Sequence, residues 1–260
     1  MSQASSSDRA ARPESAAAAA IVRSAVFNFC LWFWTAVMLL AALPWLALPP
    51  RCMLAHSRVW MRGIQFLLAA IVGLEYEVRG RAAAPERAIF AFKHQSAWET
   101  LAVHLLVDGA AIVLKRELTQ IPLFGWTLMH AGMIGIDRRA GPRALRGLIE
   151  GGRAALARGA PIVIFPEGTR VAPGARRDYQ PGVAALYRHL DCPVVPVALN
   201  SGVFWGRRSF IKRRGRIVVE FQPAIAPGLA RDAFMTELRD RLEPATARLV
   251  AEAQRQLGDG

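Results

Sequence analysis

The sequence predicts an α/β fold: a mainly parallel sheet flanked by helices, carried behind an N-terminal two-helix membrane anchor. Three observations carry that expectation. Several short runs are continuously apolar, such as IVIF at 162–165 and VVPVAL at 194–199, as in strands buried on both faces of a parallel sheet. These runs alternate with segments of helical pattern. Residues 24–50 contain no charged side chain, and a bilayer needs roughly 20 apolar residues to be crossed.

Residues 1–20 are Ser- and Ala-rich and read as a disordered tail. The apolar segment that follows is longer than the h-region of a signal peptide, about 7–15 residues, and no cleavage site follows it. Trp32, Trp34 and Trp45 suit an interfacial belt, and Pro44 with Pro49-Pro50 should kink and end the helix. A second apolar stretch, 63–74, follows Arg51, Arg58 and Arg62 and is too short to span. It reads as an interfacial or half-inserted helix. Residues 21–73 therefore form the expected anchor and 74–260 the α/β domain. Strands are expected at 75–79, 88–92, 111–115, 133–137, 161–165, 194–199 and 217–221, and helices at 96–106, 122–130, 142–158, 182–190 and 231–256.

The chain is 53% hydrophobic with a net charge of +13. A basic protein this apolar fits an anionic membrane surface or anionic substrates. Nucleic acid is the competing partner for the charge, but there is no zinc-finger spacing, RNP-like aromatic motif or basic zipper, so no nucleic-acid partner is expected. Cys30, Cys52 and Cys192 are scattered and odd in number, which argues against a disulfide framework.

Chemistry concentrates in four segments. KHQSAWET at 93–100 follows the apolar strand AIFAF, placing His94 where a strand ends and a helix begins. On one straight helix His94 and Glu99 would diverge by about 140°. They meet only if His94 lies in the turn and Glu99 one turn into the helix. The carboxylate would then fix one ring nitrogen and leave the other to take a proton from a hydroxyl. On spacing alone, a capping or surface histidine stays open. IVIFPEGTR at 162–170 is a buried strand stopped by Pro166, with Gly168 permitting a tight turn. Glu167, Thr169 and Arg170 then project at a strand's C-terminal end, where open α/β sheets place their sites. GMIGIDRR at 132–139 ends in a charged cluster containing Arg138, and CPVVPVALNSG at 192–202 carries Pro196 inside an apolar strand.

This set of residues resembles the four-motif pattern of the glycerolipid acyltransferases, in particular the bacterial 1-acylglycerol-3-phosphate acyltransferases. The resemblance covers roughly 74–221, with motif order and spacing in agreement. The first motif often ends in Asp in that family and here ends in Glu99, whose extra methylene still permits the histidine contact. KRELTQIPLFGW at 115–126 is similar to a further segment of the group.

The resemblance implies direct acyl transfer from acyl-CoA or acyl carrier protein to the sn-2 hydroxyl of lysophosphatidate on a phospholipid bilayer. His94 would be the base and Glu99 its partner. Arg138, Arg170 and Lys115 would hold phosphate, while Glu167, Gly168 and Thr169 would form the acceptor site, with a backbone N–H of the Gly168 turn at the oxyanion. No cofactor or metal is expected. The resemblance implies a bacterial inner membrane, and Arg51, Arg58 and Arg62 favour the cytoplasmic side for that end of the first helix, in agreement with a site facing the cytoplasm. Glycerol 3-phosphate, a lyso-ornithine lipid or another lysolipid is the alternative acceptor. A membrane-anchored acidic-lipid-binding protein is the alternative without catalysis. The basic segment FWGRRSFIKRRGR, 204–216, suits headgroups, an acidic carrier protein or coenzyme A phosphates, or a plain solvated loop.

Overall fold

The protein is described from a computed structural model, which describes residues 5–137 and 139–258. Seven strands form one sheet in the order β1-β7-β6-β2-β5-β3-β4. They are β1 (Leu74–Arg79), β2 (Ile89–Phe92), β3 (Ala111–Lys115), β4 (Ile134–Ile136), β5 (Ile162–Ile164), β6 (Val194–Leu199) and β7 (Gly215–Phe221). Every neighbouring pair is parallel except β6 and β7, which run antiparallel. All seven expected strands form.

The continuously apolar runs occupy the centre, as their composition requires. Every residue of β2, β5 and β6 is buried. Side chains alternate between the two faces of a strand. Phe90 and Phe92 therefore join one core, with Phe27, Ile64, Leu68 and Trp98, while Ile89 and Ala91 join the other, with Leu148, Leu186, Phe234 and Leu242. The first core is roofed by α1 (Ser5–Ala41), α2 (Pro50–Leu67) and α3 (Val103–Leu106). The second is roofed by α5 (Pro142–Ala157), α6 (Pro181–Leu190) and most of α8 (Arg231–Gly258). Two further short helices, α4 (Phe124–His130) and α7 (Ser201–Phe204), follow β3 and β6. Pro196 lies within a continuous β6 opposite Ala91, and its carbonyl accepts the Gln222 N–H at 2.9 Å. A proline has no donor to give, and here only its acceptor is used.

The N-terminal region departs from expectation in two ways. Helix α1 begins at Ser5, so it extends into the 1–20 segment expected to be a disordered tail. Its Ala16–Ala20 run is the strongest helix former available. Helix α2 begins at Pro50, not near 63, because Pro49-Pro50 initiates it: proline suits a first helical turn. It runs on through a π-helical turn, Leu68–Val72, to the left-handed Gly73. The expected anchor has one segment able to cross a bilayer and a second helix too short to span. Among the described residues only one segment, Ala17–Ala47, is long and apolar enough to cross a bilayer. Helix α2 is amphipathic, burying Met53, Met61 and Ile64 and pairing Arg58 with Asp108 of the α/β domain.

The two helices are stitched together by side chains. Trp34 Nε1 donates to the Trp60 carbonyl at 3.0 Å, Trp60 Nε1 donates to Thr35 Oγ1 at 3.2 Å, and His56 Nε2 lies 2.9 Å from the Met38 carbonyl. Gly63 makes this seam possible, since a Cβ there would sit 2.4 Å from the Trp34 indole. The opposite face of α1 presents Phe29, Trp32, Phe33 and Leu40 outward.

Candidate active site

The end of β2 builds the site. After Phe92 the chain leaves the sheet, and Ser96 Oγ accepts the Trp98 N–H at 3.1 Å. The expected 96–106 helix is split into a 3-10 turn (Trp98–Leu101) and α3. The split has a cause. Glu99 folds back on the preceding turn, and its Oε1 accepts the Gln95 and Ser96 N–H groups at 2.6 and 2.7 Å. The same oxygen lies 2.9 Å from His94 Nδ1. Oε2 accepts the Ser201 hydroxyl at 2.8 Å. A fully buried carboxylate (0% exposed) is thus surrounded by donors, which offsets the cost of its burial.

This arrangement sets the histidine. With Nδ1 held by a carboxylate, the proton is kept on that nitrogen and Nε2 is left as the acceptor. The ring stacks on Phe165, centroids 4.1 Å apart and 26° between planes. Among the described residues Nε2 has no hydrogen-bond partner, and His94 lines a cavity of about 480 Å³. Met38, Met61, Leu101 and Ile112 give that cavity an apolar end beneath α1 and α2.

Most of the residues singled out from sequence meet at this cavity. Lys115, Gly168, Thr169 and Arg170 all line it. The strand β5 delivers the last three through a turn in which Gly168 takes φ +67°. The Val171 N–H donates to the His94 carbonyl at 2.7 Å, fixing that turn against the histidine. Arg138 lies outside the described residues.

The N–H groups of the Gly168 turn differ in their bonding, and Glu167 lies elsewhere than expected. The Gly168 N–H donates to the Phe165 carbonyl at 2.9 Å, closing the turn, so it is committed to the fold. Among the described residues the Thr169 N–H has no hydrogen-bond partner. Glu167 does not line the cavity. Its side chain, 0% exposed, turns inward, with Oε1 2.8 Å from Lys93 Nζ. That contact is a buried ion pair. Glu167 sits in the turn after β5, and its partner Lys93 is held from the other side by Glu243 of α8. Lys93 also donates to both Glu243 oxygens at 2.7 and 2.9 Å, and the Tyr179 hydroxyl donates to Glu243 Oε1 at 2.6 Å. Burial pushes the Glu167 carboxyl up against the downward pull of Lys93, and it pushes the Tyr179 hydroxyl up as well, aided by Glu243.

The structure gives partners and places to further residues of these segments. Ser201 and Gln95 support Glu99 and the turn, the latter accepting the Gly202 N–H at 3.1 Å. Arg207 and Arg208 line the cavity beside Arg170. Lys93 was visible as a charge ending an apolar strand, but its partner Glu243 lies 150 residues away.

Known proteins are similar to this chain in sequence and fold. A family model described as Acyltransferase matches residues 75–200. A Pseudomonas aeruginosa protein named 1-acyl-sn-glycerol-3-phosphate acyltransferase is 36% identical over 194 residues, covering 74% of this chain and 76% of that one. The bovine 1-acyl-sn-glycerol-3-phosphate acyltransferase alpha is 27% identical over 226 residues, 84% of this chain and 78% of its own. The crystal structure of the Thermotoga maritima 1-acyl-sn-glycerophosphate acyltransferase shares the fold, with a TM-score of 0.72 at 18% identity over 88% of this chain and 97% of that one. On this identity and coverage, the chain belongs to the 1-acyl-sn-glycerol-3-phosphate acyltransferase family.

Proposed function

We propose that the protein transfers a fatty acyl group from an acyl thioester to the sn-2 hydroxyl of 1-acyl-sn-glycerol 3-phosphate, giving phosphatidic acid. The single observation that carries this reading is the His94–Glu99 pair at 2.9 Å, opening onto a cavity with an apolar end and a cationic rim. His94 Nε2 takes the proton of the acceptor hydroxyl as its oxygen attacks the thioester carbonyl. Glu99 stabilises the imidazolium that results. The tetrahedral intermediate collapses, its C–S bond breaks, and the thiolate leaves with the proton returned by His94. Within the Gly168 turn, the Thr169 N–H is the donor for the oxyanion. Arg170 and Lys115, with Arg138, hold the acceptor phosphate, and Arg207 and Arg208 extend that rim. Glu167 acts from below, by fixing the turn that carries Thr169 and Arg170.

No group in this scheme requires a cofactor or metal. The donor is acyl-CoA or acyl carrier protein. The outward apolar face of α1 supports attachment to a bilayer. Arg51 and Arg62, exposed beyond its end, favour the cytoplasmic face of a bacterial inner membrane. The purified protein would be offered labelled acyl-CoA and acyl-carrier protein with lysophosphatidate, glycerol 3-phosphate and a phosphate-free lysolipid. Phosphatidic acid as main product is the expected result. Product only from another acceptor would overturn the named substrate.

A further inference from the structure

The loop after α7, residues 205–214, is rich in cations, yet it does not give all of them to solvent. Arg207, Arg208, Arg213 and Arg214 are exposed, whereas Lys212 is 4% exposed. Its Nζ donates to Asn28 Oδ1 at 2.5 Å and to the Phe210 carbonyl at 2.9 Å. Its backbone N–H donates to Ser24 Oγ at 2.9 Å. The ammonium also lies 4.8 Å from the Trp205 ring centroid and 5.6 Å from that of Phe27, and those two rings meet edge to face. Ser24, Phe27 and Asn28 stand on one face of α1, at the spacing of helical neighbours.

A lysine in this position is costly. Among the described residues no carboxylate is a hydrogen-bond partner of its ammonium, and burial pushes its pKa down to about 8. A loop needed only for its charge would leave the ammonium in water. What the fold gains is a fixed junction between α1 and this loop, with two hydrogen bonds and the aromatic rings offsetting the loss of hydration. The other end of the loop reaches the site. Arg207 and Arg208 line the cavity that holds His94, and Arg207 Nη1 donates to the Arg170 carbonyl at 3.3 Å.

We propose that Lys212 is a positioning residue that locks the 205–214 loop onto α1, so that the seating of the N-terminal helix sets the cationic rim of the cavity. The kinetic part of its test rests on the reaction proposed above; the exchange part does not. Hydrogen–deuterium exchange would be compared for the full-length wild type and Lys212→Met. Faster exchange is expected in 205–214 and in the adjoining turn of α1, with the central strands unchanged. Lys212→Met should also raise KM for lysophosphatidate about tenfold with kcat within about twofold, the size of one charge-assisted hydrogen bond to the phosphate. In an Arg207→Ala/Arg208→Ala background the same change should add little further, since Lys212 acts through those arginines. If Lys212→Met fails to fold, Asn28→Leu removes the Nζ acceptor from the other side and should loosen the same segments.

Unaltered exchange in both segments, or equal KM effects of Lys212→Met with and without the arginines, would overturn the proposal. A wild type that does not acylate lysophosphatidate would sink the proposed reaction instead, and the exchange result would still decide the role of Lys212.

Discussion

Ser201, at the start of α7, donates its hydroxyl to Oε2 of Glu99 at 2.8 Å, across 102 residues of chain. It links the strand bearing Pro196 to the histidine's carboxylate. Ser201→Ala removes one donor from a buried anion, at a cost of about 1–3 kcal/mol. The altered carboxylate holds His94 less firmly, so kcat is expected to fall roughly tenfold or more while KM for the acceptor stays near wild type. Steady-state kinetics on the variant check this. A change confined to KM would place Ser201 in substrate binding.

Lys93 stands between two carboxylates, Glu167 and Glu243, in a nearly closed environment. Removing it leaves both without their cation. Breaking a buried pair from one side costs about 3–5 kcal/mol, so Lys93→Met should lower the unfolding free energy by that order. Adding Glu243→Gln to Lys93→Met should recover part of the stability, because one unpaired charge disappears. Denaturant unfolding of the single and double variants measures both effects.

His104 is buried beside the cavity, and burial pushes its pKa from 6.5 down to about 4. The folded protein holds it neutral, whereas the unfolded chain protonates it below 6.5. Stability from this group is therefore complete above about pH 6.5 and falls as pH drops toward 4. Between pH 7.5 and pH 4.5 the fall is about 2–3 kcal/mol at 1.36 kcal/mol per pH unit. Unfolding midpoints of wild type and His104→Leu at the two pH values isolate the contribution. Wild type should lose more than the variant on acidification.

Arg170 lines the cavity and has a planar fork suited to phosphate. Arg170→Ala should raise KM for lysophosphatidate by about ten- to a hundredfold, from the 1.5–3 kcal/mol typical of charged hydrogen bonds. Arg170→Lys should recover only part of it, and turnover of a phosphate-free lysolipid should change little. Initial rates over an acceptor series decide this.

The sheet and half of the site were legible because they depend on local order. AIFAF and IVIF announce buried strands by composition, and they become β2 and β5 with every residue buried. His94 and Glu99 would diverge on one straight helix, so their contact depends on His94 lying in the turn, where the structure places it. What sequence could not deliver depends on packing between distant segments. The orientation of Glu167 follows from Lys93 and α8, 150 residues from Lys93. Nothing local shows that Ser201 completes Glu99 or that Lys212 reaches α1. Helix α2 began at Pro50 because the same prolines that end one helix can start the next, and a reading by hydropathy alone catches only its apolar end, Gly63 onward.

The central claim is that His94, held by Glu99, is the base for acyl transfer. The most direct test is the rate of phosphatidic acid formation from lysophosphatidate and acyl-CoA by wild type and His94→Ala, with matched circular dichroism spectra. Loss of a general base removes about 10²–10⁴-fold in rate. The account predicts a fall of at least that size in kcat, with the fold intact. A folded His94→Ala protein that forms phosphatidic acid at the wild-type rate would contradict it.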